Sequence, residues 1–261
     1  MHHFLRAGLF PALCVCAGMP AHAQWQAGAG PGLRYAVHDE YDAAGRRLVR
    51  ERGWLPGVAL QAAYTTGALT WRAGAEAYRG TIDYDGHTQN GVPATSTTST
   101  RLAAVDAGAA YAFSDGVSLL ARIETDRWRR DIAGTATAAG LQETYRSTRL
   151  FAGAARTWRP AAGRLTADAA LFVSAPEQMR VAFSGRYDPA HLDLGRARGL
   201  RLGLGLRPAN APWLELSTRY DRARTPRSGN APLTENGQFR GTITQPEHTR
   251  QALTFAVSAT Y

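Results

Sequence analysis

The chain contains no lysine: all 30 basic residues of the Lys+Arg class are arginine. It has two cysteines, Cys14 and Cys16, and both fall in the first 23 residues. Beyond that point there is no thiol, which excludes a disulfide scaffold and a thiolate zinc site. No apolar run after residue 23 is long enough to cross a bilayer as a helix, which excludes a helical inner-membrane protein. Neither a strong Asp/Glu metal constellation nor a G-x-S-x-G nucleophile elbow is present. No metal or cofactor is therefore expected.

The first residues read as a targeting segment. Met1 to Arg6 is a short basic start, Ala7 to Met19 is apolar, and Ala21-His22-Ala23 has the small-x-small ending of a signal-peptidase site. The apolar run is too short for a transmembrane anchor. The residues before Cys14 and Cys16 lack the small side chain that lipoprotein processing needs. The expected organisation is a cleaved signal peptide over residues 1–23 and one domain over residues 24–261.

The net charge is +9. In a secreted chain such a balance does not point to nucleic acid. The anionic partner at a bacterial surface is lipopolysaccharide, whose phosphates suit the bidentate guanidinium fork.

After the leader the sequence alternates. Val58, Leu60, Ala62 and Tyr64 interleave with Gly57, Ala59, Gln61 and Ala63; Leu200, Leu202, Leu204 and Leu206 interleave with Gly199, Arg201, Gly203 and Gly205. The last stretch places Leu253, Phe255, Val257, Ala259 and Tyr261 on one face, with small or polar residues on the other. This is the period of a half-buried strand. Ten such strands of roughly 11 to 14 residues can be counted, longer than usual for a soluble sheet and suited to a tilted membrane crossing. Their connections alternate short and long. Thr65-Thr66-Gly67 and Ser114-Asp115-Gly116 are tight turns, whereas polar segments such as residues 83–100, 129–144, 176–195 and 225–247 read as long loops. Aromatics collect near strand ends, among them Trp54, Trp71, Tyr111, Trp158, Trp213 and Tyr220. A soluble β-sandwich also alternates, but without this strand length or loop asymmetry.

A closing strand that ends on an aromatic resembles that of bacterial outer-membrane β-barrels. The resemblance implies an all-β, ten-stranded antiparallel transmembrane barrel with short periplasmic turns and long extracellular loops. It also implies an outer-membrane location and recognition by the barrel-assembly machinery through the strand ending at Tyr261; a monomer is expected. If the apolar face meets lipid, the other face puts Arg72, Glu76, Asp106, Arg122, Glu124, Asp126, Asp168, Arg201, Glu215 and Arg219 in the lumen. Charges so confined must pair or neutralise, so a plugging ion-pair network is expected.

Arginines also cluster beside the long loops. Arg127, Arg129, Arg130, Arg196, Arg198, Arg222 and Arg224 are the candidates for lipopolysaccharide contact. At the rim, Asp83 and Asp85 on one side, with Asp188 and His191 on another, resemble the omptin family of outer-membrane endopeptidases. In that family a His/Asp pair activates a water and an Asp pair completes the groove. Here two residues rather than one separate Asp188 from His191, and Gly86 replaces the family's tryptophan. Three functions follow: a non-catalytic surface barrel whose loops contact lipopolysaccharide or an external partner, an omptin-like rim endopeptidase, or a narrow channel for small solutes.

Overall fold

The computed structural model describes residues 24–87, 92–135, 139–185 and 187–261. The leader expected over residues 1–23 lies outside them. Each alternating run forms a strand: β1 (Gln24–Tyr41), β2 (Arg47–Thr66), β3 (Leu69–His87), β4 (Pro93–Ser114), β5 (Val117–Ile132), β6 (Leu141–Trp158), β7 (Gly163–Phe183), β8 (Ala190–Pro208), β9 (Leu214–Thr225), β10 (Ala231–Glu235), β11 (Gln238–Ile243) and β12 (Glu247–Thr260). Ten of them close an antiparallel barrel in the order β1-β12-β9-β8-β7-β6-β5-β4-β3-β2. Closure is made by β1 on β12, where Leu33 lies opposite Phe255 and Tyr35 opposite Leu253. A closed ladder leaves no unpaired edge, which is what hydrocarbon surroundings require.

The apolar face points outward. Leu60, Val105, Leu150 and Leu171 are exposed, Leu171 by 70%. In water such a continuous apolar band would be a liability; in a bilayer it is the contact surface. Tilted ring pairs mark its two edges: Trp25 with Tyr64 at the short-turn end, and Tyr35 with Trp54 at the long-loop end. The short turns rely on glycine where the backbone goes left-handed, as at Gly116 (φ 72°) between β4 and β5.

Two expectations are corrected. The barrel strands run from 12 residues in β9 to 22 in β4, so much of what reads as loop is strand. Residues 93–100 and 129–132 continue the ladder above the apolar band, where Ser, Thr and Arg can face water on the outside while backbone pairing persists. The segment after β9 is also not a plain loop. It folds into the separate hairpin β10–β11, turning through Asn236 (φ 53°) and Gly237 (φ 76°).

Candidate functional site

The inward face carries charge in two layers. The middle layer lies within the apolar band. Arg219 on β9 reaches Glu76 on β3 (Nη2 to Oε1 2.7 Å, to Oε2 2.8 Å), and its Nε donates to Asp221 at 3.0 Å. Arg201 on β8 donates to Glu124 on β5 at 2.7 Å and also to Asp221. Arg34 on β1 sits 3.7 Å from Asp221 and 3.9 Å from Glu76. Above these, Arg149 on β6 pairs with Asp126 at 2.6 Å, and Arg250 on β12 pairs with Glu177 on β7 at 2.6 Å. Aromatic faces support the guanidinium groups: the Arg201 group lies 4.5 Å from the Phe151 ring centroid and that of Arg149 5.4 Å from Phe172.

The upper layer centres on Arg130, which is fully buried. Its Nε donates to Glu51 at 2.9 Å, and its Nη1 donates to Glu143 at 2.5 Å and Glu40 at 3.2 Å. Thr98 donates to Glu51, and the Tyr145 hydroxyl donates to Glu143 at 3.0 Å. His38 bonds Glu40 at 3.0 Å and lies against both Trp128 and His248. Trp128 stacks on Tyr145 with centroids 5.1 Å apart. Outward neighbours at this height are Arg101 and Arg129, above the apolar band, so the layer lies toward the long-loop end of the barrel. Three carboxylates thus face one guanidinium in a buried space. Burial pushes the Glu143 carboxyl up to about 7 and the His248 imidazole down to about 3. Between the layers lies a cavity of ≈ 70 Å³. Its Leu55, Ile82 and Leu102 side is apolar, and its Arg149 and Arg250 side is charged.

Of the ten lumen residues expected from sequence, Glu76, Glu124, Asp126, Arg201 and Arg219 enter the cross-lumen pairs, Asp126 through Arg250 at 3.9 Å. Glu215 pairs instead with Arg207 (2.6 Å) near the short-turn end. Arg122 lies over Phe151, and Asp106 faces inward beside Gly74. Asp168 packs on Gly203, where a Cβ would meet its carboxylate, and Arg72 points inward in register with Gly108. Sequence reasoning missed Arg34, Glu40, Glu51, Glu143, Arg149, Glu177, Asp221 and Arg250. Alternation marks Arg34, between Leu33 and Tyr35, and Asp221, two residues from Arg219. It cannot mark Glu177, because register shifts at Val173/Pro176 and Pro176/Gln178 break the period.

The rim residues do not converge. Asp83 and Asp85 lie on the outward face of β3, opposite Arg52 and Arg50, and Asp85 is 4.0 Å from Arg47. Asp188 accepts from the Gly237 amide at 2.9 Å and the Thr234 hydroxyl at 2.8 Å, bonds that hold its carboxyl below the ordinary range and tie the β10–β11 hairpin to the barrel mouth. His191 is exposed on β8 opposite Arg180. β3 and β8 occupy opposite sides of the barrel, and the Asp83, Asp85 and His191 side chains face away from the lumen.

Of the lipopolysaccharide candidates, Arg127, Arg129, Arg196, Arg198, Arg222 and Arg224 are exposed on the outer face above the apolar band. Arg130 is the exception: it points inward, because it follows an outward residue on a period-2 strand, and it is consumed by three carboxylates. The same belt includes Arg52, Arg79, Arg101, Arg146 and Arg180, all exposed.

No protein-family model and no curated protein matches the chain. Among solved structures it is similar to the outer membrane protease OmpT from Escherichia coli, with a TM-score of 0.56 and 10% identity, covering 93% of this chain and 97% of that one. It is also similar to the translocator domain of the autotransporter NalP from Neisseria meningitidis, with a TM-score of 0.50, 14% identity and coverage of 90% and 88%. At these identities the likeness is one of fold: the chain is a closed antiparallel barrel with the fold of bacterial outer-membrane proteins.

Proposed function

We propose that this outer-membrane barrel is neither an enzyme nor an open pore, and that it acts through its surface. In this reading its extracellular crown meets an external partner, and its outward arginines engage lipopolysaccharide in the outer leaflet. The observation that carries the reading is the interior. Two charged layers span the lumen at different heights, from Glu76 to Arg219 and from Glu51 through Arg130 to Glu143. A path for solute would have to break both, leaving buried charges unpaired. The outward placement of Asp83, Asp85 and His191 speaks against a catalytic groove at the rim, since a water-activating base must share a site with its carboxylate and its substrate.

The test is reconstitution. Protein in planar bilayers should show no steady conductance beyond a small-ion leak, and refolded protein mixed with peptides should cut none. Stable unitary conductance for sugars or amino acids would replace this reading with the channel; cleavage abolished by His191→Ala would replace it with the protease.

A further inference from the structure

On one side of the barrel the outward arginines stand in a pattern that the protein leaves uncompensated. Arg79 on β3 lies directly opposite Arg101 on β4, and Arg101 lies directly opposite Arg129 on β5. One outward position lower, Arg127 lies directly opposite Arg146 on β6. Directly opposed side chains on antiparallel strands hold their Cβ atoms about 5 Å apart, a spacing at which like charges repel. Some arginines elsewhere on the outer wall have acids: Arg224 meets Glu247 at 2.7 Å, and Arg47 lies 4.0 Å from Asp85. Among the described residues this cluster has no ion-pair partner. The one polar contact is to a neutral group, from Arg129 to Gln142 Oε1 at 3.4 Å.

Beneath the cluster the wall is hollowed. The β6–β7 ladder slips between Arg146 and Arg149, where Pro176 on β7 has no amide to donate. The resulting depression has a volume of ≈ 570 Å³ and is open to the outside, and Ala103, Val105, Thr125 and Thr148 line its outer side. The Thr125 and Thr148 hydroxyls bond each other at 3.0 Å, so that polar demand is met within the wall. Ile123 and Leu150, exposed just below, belong to the lipid-facing band. Guanidinium groups therefore stand directly above a shallow hollow at the hydrocarbon boundary.

We propose that this face of β3–β6 binds one phosphorylated glycolipid of the outer leaflet, with its phosphates gripped by Arg101, Arg129, Arg127 and Arg146 and an acyl chain lying in the hollow. Guanidinium forks match phosphate bidentately, and a phosphate placed between opposed arginines converts their repulsion into attraction. This site rests on the surface reading above, whose lipid contact it locates, but it does not depend on the lumen being closed.

The experiment uses refolded full barrel in detergent, titrated with purified lipopolysaccharide and with the same material after phosphatase treatment. Arg101→Gln/Arg129→Gln should bind roughly tenfold more weakly than the parent, the equivalent of about 1.4 kcal/mol. Added salt should narrow that gap, and the dephosphorylated lipid should bind the parent as weakly as the intact lipid binds the variant. Ala103→Trp, which fills the hollow and keeps every charge, should also weaken binding, whereas Arg159→Gln, exposed at the short-turn end of the barrel, should not. Parent-like binding by both the double variant and Ala103→Trp overturns the site, as does equal competition by phosphatidylglycerol micelles. Because conductance is measured separately, an open pore with intact lipid binding would defeat the functional reading and leave this site standing.

Discussion

Arg219 and Glu76, on β9 and β3, meet across the barrel interior with Nη2 2.7 and 2.8 Å from the two carboxylate oxygens. The pair joins walls separated by β12, β1 and β2 on the shorter way round. It is thus a brace between strands that share no ladder. Asp221 and Arg34 complete its surroundings, so removing one member strands a charge among the others.

Arg219→Leu should therefore cost about 3 kcal/mol, in line with breaking a buried pair by one partner, whereas Glu76→Leu/Arg219→Leu should recover much of that loss. Urea midpoints followed by tryptophan fluorescence report both. A double variant no more stable than the single one would show that the pair does not brace the barrel.

Gly57 on β2 predicts a steric effect at the same height. A Cβ there would lie 2.2 Å from the Ala77 carbonyl oxygen and 2.3 Å from Tyr78 Cδ1, with Tyr78 almost fully buried. Backbone on one side and a wedged ring on the other leave little room to relax. Gly57→Val should destabilise by about 1–3 kcal/mol, seen as a lower urea midpoint, while Gly67→Ala, with no atom within 4 Å, should act only through its positive φ. Equal effects from both would remove the packing explanation.

The ten-stranded barrel was legible because lipid and lumen impose opposite chemistry on successive residues. Leu200, Leu202, Leu204 and Leu206 announce their face without any tertiary knowledge. The limits of legibility have the same cause. Above the bilayer both faces are polar, so the upper half of β4 reads as loop although Thr98 and Thr100 point inward to Glu51 and Trp128. Arg130 reads as one more surface arginine until the parity of β5 is followed to its end. The upper layer also draws on β1, β2, β5, β6 and β12, strands distant in sequence, so no local spacing announces it.

Asp188 carries a prediction about the crown. Its carboxylate is the acceptor for the Thr234 hydroxyl and the Gly237 amide, which bind the β10–β11 hairpin to the start of β8. Asp188→Ala should make residues 231–243 more sensitive to limited proteolysis while the barrel's urea midpoint stays that of the parent. His191→Ala, exposed and three residues on, should leave the cleavage pattern unchanged. Parent-like resistance in Asp188→Ala would mean that the hairpin is held by other contacts.

The last prediction concerns pH and the upper layer. Glu143 shares its space with Glu40, Glu51, Arg130, Tyr145, His38 and His248. Burial lifts its carboxyl from an ordinary 4.5 to about 7, so in the folded barrel it holds a proton that the unfolded chain has lost. A raised value stabilises fully below the ordinary one, and the contribution is lost as pH rises through about 7. His248 acts in the opposite sense: held down to about 3 from 6.5, it stabilises above its ordinary value and loses that contribution as pH falls. The two slopes oppose each other between 4.5 and 6.5, so the parent's profile alone is ambiguous. Glu143→Gln separates them, because a neutral amide of the same shape keeps the packing and cannot ionise. The urea midpoint of the parent should fall relative to Glu143→Gln as pH is raised from 4.5 to 7, and the difference should be constant above that range. A difference independent of pH would show that Glu143 is already ionised in the folded barrel, with Arg130 balancing all three carboxylates.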